Sequence, residues 1–302
     1  MKILIYGAGA LGCGIASMIS NNNLYFIGRE GTVNAINNGN MHISGLTNKK
    51  IEGKAYISIE DMQEVPDIIF ITTKAYDTEK AIKEIVNKWK NVYITHIQNG
   101  LVNRQIIYDY IYRYWGNPKE LFASCVTNYG FTKLNENNIK HAGNGTLWIE
   151  DCKTGQIINE LFNQTSVNHE IINNIEEQIW KKGIVNSVIN PLTCIFNAEN
   201  EVLGNPYLSD VIGKIVKEGV EVAKSTGIVI KYDEVISLVK STINWTSKNV
   251  SSMLQDMRNG KKLEIEEING YILSVGSKNG INVEYNTLLY KITKVLEKIH
   301  KS

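Results

Sequence analysis

In IWKKGIVNSVINPLT, Lys182, Asn186 and Asn190 recur every four residues. A helix would set them in one row. The types suggest chemistry: a lysine ammonium can give up a proton, and carboxamides bind donors and acceptors alike. A solvated helix face is the other reading of the same spacing. Pro191 follows at once; inside a helix it removes an N–H and crowds the preceding turn, so a kink is expected near Asn190. A second polar row would arise in NVSSMLQDMRNGKKLEIEEINGYIL, where Asn249, Ser252 and Asp256 fall at i, i+3 and i+7 of a helix. Asn259-Gly260 would stop that helix. Glu264 then stands at or near the start of the next, where the dipole favours a carboxylate. Simple capping accounts for Glu264 as well, and an ion pair with Arg258, Lys261 or Lys262 for Asp256.

A different chemistry is written at the N-terminus. Gly7-Ala8-Gly9-Ala10-Leu11-Gly12 follows the apolar stretch KILIY and opens a helix-like segment. That context turns GxGxxG into a phosphate-binding turn. The first glycine permits the tight turn, the second lets backbone approach a pyrophosphate, and the third lets helix pack on strand. The phosphates would face the free N–H groups of the helix N-terminus. At the end of the second strand stands Ile27-Gly28-Arg29-Glu30, with no acid before Arg29. Arg29 can fork onto a 2′-phosphate, so NADPH is the expected cofactor. Lys74, at the end of DIIFITTK, points to the same sheet edge. The competing reading turns Glu30 inward and gives NAD.

The elements that must position these groups fall into two halves. Up to about residue 170, apolar strand-like runs alternate with helical ones, which argues for a parallel, doubly wound sheet. MHISGL and KAYISIE are expected to pair as a β-hairpin. From 171 the runs 174–198, 207–226, 233–249, 251–259, 264–279 and 286–299 all favour helix, with Gly227, Gly260 and Gly280 where C-terminal caps belong. The expected organisation is a Rossmann-type domain over 1–170 and an all-α domain over 171–302. Formal net charge is +1, from 32 basic and 31 acidic side chains, which gives no electrostatic reason to expect nucleic acid or membrane as partner. Four cysteines stand apart without a CxxC pair, so a cytoplasmic protein without a metal site is the simpler expectation.

GAGALG, ITTKAYD, QNG, the WxK…N…NPLT helix and SSMLQDxR…E…NG together resemble the ketopantoate reductase (2-dehydropantoate 2-reductase) family, from residue 3 to about 290. The last two motifs are specific to it; the glycine turn is shared by many dehydrogenases. The resemblance implies a Rossmann-type domain followed by a helical domain like the C-terminal domain of 6-phosphogluconate dehydrogenase. It implies NADPH-dependent reduction of 2-dehydropantoate to (R)-pantoate, a step towards pantothenate and coenzyme A, and a homodimer is compatible with it. Residue by residue, it makes Lys182 the general acid with Glu264 beside it. It places Asn99, Asn186, Asn190, Asn249 and Ser252 at the substrate, a 2-oxo acid. Residues 7–12, Arg29, Lys74, Asn99 and Glu264 are placed at the cofactor. Asp77, Asn128-Tyr129 and Glu150 depart from the family's pattern. A relative acting on another hydroxy acid, or a non-catalytic NADP-binding regulator, are the alternative readings.

Overall fold

Ile3, Leu4, Ile5, Ile68, Ile69, Phe70 and Ile71 are all fully buried. Apolar runs without alternation belong to strands covered on both faces, and these form the centre of the main sheet. The structure, a computed structural model, describes residues 1–300. Its first half contains β1 (Lys2–Tyr6), α1 (Ala10–Met18), β2 (Asn23–Ile27), α2 (Glu30–Asn37), β3 (His42–Gly45), β4 (Lys49–Lys50), β5 (Lys54–Tyr56), β6 (Ile68–Ile71) and α3 (Thr78–Lys88). There follow β7 (Tyr93–His96), α4 (Asn103–Trp115), α5 (Pro118–Leu121), β8 (Phe122–Thr127), β9 (Gly130–Asn135), β10 (Asn138–Gly143), β11 (Leu147–Glu150), α6 (Lys153–Asn163) and β12 (His169–Ile172). The main sheet has the order β12-β11-β8-β7-β6-β1-β2-β5. All neighbours are parallel except β11 with β8, so β11 and β12 run against the rest. Alternate residues of the central strands serve opposite faces: Ile3, Ile5, Ile68 and Phe70 pack with α1 and α6, while Leu4, Ile69 and Ile71 pack with α3 and α4.

The expected hairpin between MHISGL and KAYISIE does not form. β5 pairs in parallel with β2 at the edge of the main sheet. β3 pairs with the two-residue β4 and, in parallel, with β10, building a second sheet of order β4-β3-β10-β9. The pairing of His42–Gly45 with Asn138–His141 joins segments almost 100 residues apart, and no local pattern encodes it.

The second half is helical, with α7 (Ile175–Phe196), α8 (Ser209–Ser225), α9 (Tyr232–Trp245), α10 (Ser252–Arg258), a π-helical turn at Glu266–Gly270 continuing into α11 (Tyr271–Lys278), and α12 (Glu284–Ile299). Gly227, Gly260 and Gly280 have φ of +89°, +63° and +67°, as left-handed caps require. The polar row of Asn249, Ser252 and Asp256 is corrected. α9 ends at Trp245, and Ser251 caps α10 by accepting from the Leu254 N–H at 3.2 Å. Asn249 therefore lies in the connection ahead of the cap, and Asp256 is buried.

Contacts divide the chain into one unit of residues 1–98 with 103–175, and a second of 99–102 with everything from Glu176 onward. The short segment Asn99–Val102 follows β7 in sequence yet packs with the helices.

The glycine turn supplies the test of the fold. A Cβ on Gly12 would stand 2.2 Å from the Gly7 carbonyl oxygen and 2.6 Å from Thr72 Oγ1; one on Gly9 would meet nothing within 4 Å. Gly12→Ala should lower the unfolding free energy by about 1–3 kcal/mol through overpacking. Gly9→Ala should stay within about 0.5 kcal/mol. Denaturant unfolding of both variants checks the pair of expectations.

Candidate functional site

In the first unit the glycine turn sits where the topology changes direction, since β1 lies between β2 and β6. Ligands of doubly wound sheets bind beyond the strand ends at such a point. Gly7 has φ +118°, and a Cβ there would collide with the Thr73 N at 2.5 Å. The Gly7 and Ala8 N–H groups both donate to the Ile27 carbonyl, tying the turn to the end of β2. Gly9 precedes α1, whose first turn, from Ala10 and Leu11 to Gly12, has no acidic side chain and no side-chain cap. The helix N-terminus thus keeps its N–H groups for an anion, with open space before it at Gly9.

Arg29 is exposed at the cap of α2, and Lys74 is half-buried just past β6. Glu30 is exposed in the first turn of α2. Sequence reading missed Glu136. Its carboxylate accepts from Lys133 at 2.6 Å and Thr32 at 3.1 Å, and Lys133 chiefly, with Arg29 contributing, holds it below the usual carboxylate range. Gln98 was also missed. Its Nε2 donates to the Thr73 carbonyl at 2.8 Å and to Thr73 Oγ1 and Thr78 Oγ1 at 2.9 Å, clasping the ends of β6 and β7. Among the described residues its buried Oε1 has no partner, leaving an acceptor at the sheet edge. The only sequence signal was its place before Asn99 in QNG.

Two departures from the family's pattern have structural accounts. Arg104 forks onto Glu150 with two bonds of 2.7 Å, and Glu150 also accepts the Ser124 N–H at 2.8 Å, so Glu150 locks β11 to β8 and α4. Asn128 accepts the Thr146 N–H at 2.6 Å, and the Tyr129 hydroxyl accepts the Asn168 N–H at 3.0 Å.

In the second unit α7 carries Lys182, Asn186 and Asn190 on one side. The neighbouring lysines of the WKK stretch separate cleanly. Lys181 Nζ lies 2.6 Å from Glu234 and 3.7 Å from Glu177, an ordinary ion-pair site. Lys182, one position round the helix, is pushed down to about 8 by burial, while the nearby Glu264 carboxylate pulls it partly back. Glu264 is buried in the turn before the π-helical segment, and Asn190 is buried while Asn186 is partly open. The Asn99–Gly100 turn is drawn to the same place. Leu101 covers Gly183, where a Cβ would meet Leu101 Cδ2 at 2.4 Å, and the Leu101 N–H donates to the Glu267 carbonyl at 3.0 Å. Gly183 adjoins Lys182, and Glu267 is three residues beyond Glu264, so the segment after Asn99 packs against the elements next to the pair. The Ser251 hydroxyl bonds Thr193 Oγ1 at 2.7 Å, and that hydroxyl reaches the Asn190 carbonyl at 3.0 Å. This ties exposed Asn249 and Ser252 to the end of the α7 row.

Pro191 has a visible consequence. An α-helix bonds the N–H of residue i to the carbonyl of i−4, so the missing N–H of Pro191 frees the Ser187 carbonyl. Asn269 Nδ2 takes it at 3.1 Å and gives its other hydrogen to Asn286 Oδ1 at 3.0 Å. Asn286 in turn donates to Glu218 at 2.9 Å.

A doubly wound sheet with an anion-ready glycine turn, followed by a helical unit bearing a depressed lysine, is the build of the two-part nicotinamide-dependent oxidoreductases. Among the described residues no helix is long and apolar enough to cross a membrane. The profile of the ketopantoate reductase PanE/ApbA family matches residues 3–154, and that of its C-terminal part matches residues 174–297. A 2-dehydropantoate 2-reductase of Pyrococcus horikoshii is 32% identical over 99% of this chain and 98% of its own length. Two solved structures superpose over the whole of both chains at 24% identity: a PanE/ApbA family ketopantoate reductase from Ralstonia eutropha, TM-score 0.90, and a D-mandelate dehydrogenase with NADH and anilino(oxo)acetate, TM-score 0.91. The chain belongs to the ketopantoate reductase family.

Burial and Glu264 act on Lys182 in opposite directions, which fixes the sign of a test. Lys182 should titrate near 8, followed through the pH dependence of its reaction with an amine-selective reagent and located by peptide mass spectrometry. Glu264→Gln removes the charge that raises it, so the midpoint should fall; a midpoint that rises would contradict the assignment of Glu264 as its neighbour.

Proposed function

We propose that this protein reduces 2-dehydropantoate to (R)-pantoate with NADPH, the first unit holding the cofactor and the second supplying the substrate pocket and the proton. The observation that carries this reading is Lys182: a desolvated lysine whose pKa is lowered to about 8, near the carboxylate of Glu264, on the polar row of α7. NADPH, when bound, supplies the hydride to the ketone carbon. The open approach at Gly9 and the buried acceptor of Gln98 suit a dinucleotide at the sheet edge. Residues 7–12 would cradle the pyrophosphate, with Arg29 and Lys74 reading the 2′-phosphate side.

The reduced carbonyl gathers negative charge as hydride arrives. Lys182 donates a hydrogen bond to that oxygen and then its proton, and a pKa near the working pH suits a group that must hold and release one. Glu264 keeps the lysine charged enough to act and orients it. Asn186 and Asn190 bind hydroxyl and keto oxygens as neutral groups, so they do not compete with the ammonium. Asn249 and Ser252 take the substrate carboxylate, and Asn99 contacts substrate and nicotinamide. As pH rises through about 8 the donor loses its proton, so turnover should fall on the alkaline side.

Lys182→Ala should lower kcat with 2-dehydropantoate by roughly 100- to 10,000-fold, the range for general acid catalysis, while NADPH still binds; unchanged turnover would remove the acid role. Arg29→Ala should weaken NADPH by roughly 10- to 100-fold, the value of charge-assisted bonds, and NADH far less. Equal losses would take the 2′-phosphate from Arg29. NADPH oxidation with 2-dehydropantoate against pyruvate, 2-oxoisovalerate and oxaloacetate tests the substrate: preference for a smaller or a dicarboxylic acid overturns that assignment.

A further inference from the structure

Asn269 is wholly buried, and both hydrogens of its amide are committed, one to the Ser187 carbonyl and one to Asn286. The network fixes which end of the amide is which. Asn286 Nδ2 already donates to the Ile215 carbonyl at 3.2 Å and to Glu218 at 2.9 Å, so its Oδ1 must accept, and Asn269 must present N–H to it. Glu218 also takes the Tyr285 and Asn286 N–H groups, at 2.8 and 2.9 Å, which anchors the network to the start of α12. The Oδ1 of Asn269 is buried without a partner among the described residues, so donation is what this side chain contributes.

Its position gives that donation a meaning. Asn269 lies in the π-helical turn, whose Gly270 N–H reaches back to the Ile265 carbonyl at 2.9 Å. Glu264 stands two residues before that turn. Ser187 stands between Asn186 and Asn190 on the helix of Lys182. A π-helical turn is rare and frequently marks a functional site. A proline inside a helix is costly, because it removes a hydrogen bond and crowds the preceding turn. Each defect answers the other here, since the carbonyl that the proline strips is the one the π-helical turn captures.

We propose that Pro191 and Asn269 are positioning residues acting as one device: the proline deletes a hydrogen bond of α7 so that Asn269 can anchor the π-helical turn that follows Glu264 to the helix bearing Lys182.

The test separates positioning from folding. Asn269→Ala strands the Ser187 carbonyl, so thermal unfolding should drop by roughly 5 °C. It also frees the Glu264 turn, and kcat should fall by up to about a hundredfold, the cost of an ångström-scale misplacement. Adding Pro191→Ala restores an N–H that can bond Ser187 within α7. The double variant should regain most of the lost stability and none of the lost kcat. Recovery of both would make the contact merely structural and overturn the proposal; so would an Asn269→Ala variant with wild-type kcat. A double variant no more stable than the single would overturn the role of Pro191. The kcat arm rests on the functional reading given above; a second arm does not. Lys182 should titrate lower in both variants than in the wild type, because Glu264 has moved away from it. If the wild-type protein oxidised NADPH with none of the 2-oxo acids, the functional reading would fail and the Lys182 titration would still decide the anchor: an unshifted midpoint overturns it.

Discussion

The hydrogen bond from Asn269 to the Ser187 carbonyl is the contact on which the helical unit's polar interior is arranged. It exists because residue 191 cannot donate. An ordinary residue there would close the α-helical bond, and the Ser187 oxygen would already have a donor. The proline moves that donor from the helix's own backbone to a side chain of the π-helical turn. A helix–helix contact that packing alone would leave free to slide is thereby given a register. Glu218 and Asn286 extend it into a buried network in which nearly every donor and acceptor is used, and such networks specify one arrangement more sharply than apolar packing does.

The two lysines of WKK differ in their partners. Lys181 is buried, but it is paired with Glu234 and Glu177 and serves as a strut. Lys182 is desolvated with weaker compensation, and that imbalance makes its proton available. A stronger partner would raise its pKa and hold the proton more tightly; none at all would leave burial to push it lower. The placement of one carboxylate, Glu264, decides between these outcomes.

How much of this the sequence announces depends on range. The row Lys182, Asn186, Asn190 follows from the period of a helix and needs no tertiary knowledge. The helical runs and their glycine caps were legible for the same reason, as was the glycine turn, whose three steric demands are local. The row through Asn249 was not, because a serine cap two residues later starts a new helix, and capping competes with periodicity. The second sheet escaped because β3 meets β10 across a hundred residues. Pro191 could be read as a defect but not as half of a pair, since its partner lies 78 positions on, in a turn that looks like plain helix.

Asn99 shows why chain order misleads about a site. It follows β7 directly, and Gln98, its neighbour, is clasped to the ends of β6 and β7. One residue later the chain changes allegiance: Leu101 closes over Gly183 and bonds the Glu267 carbonyl. Gly183 can only be glycine for this to happen, because any Cβ would occupy the place of the leucine. The chain just after Asn99 is thus held by α7 and the π-helical turn, the elements that carry or follow Lys182 and Glu264. Asn99, Lys182 and Glu264 all belong to that second unit, although Asn99 follows a strand of the first.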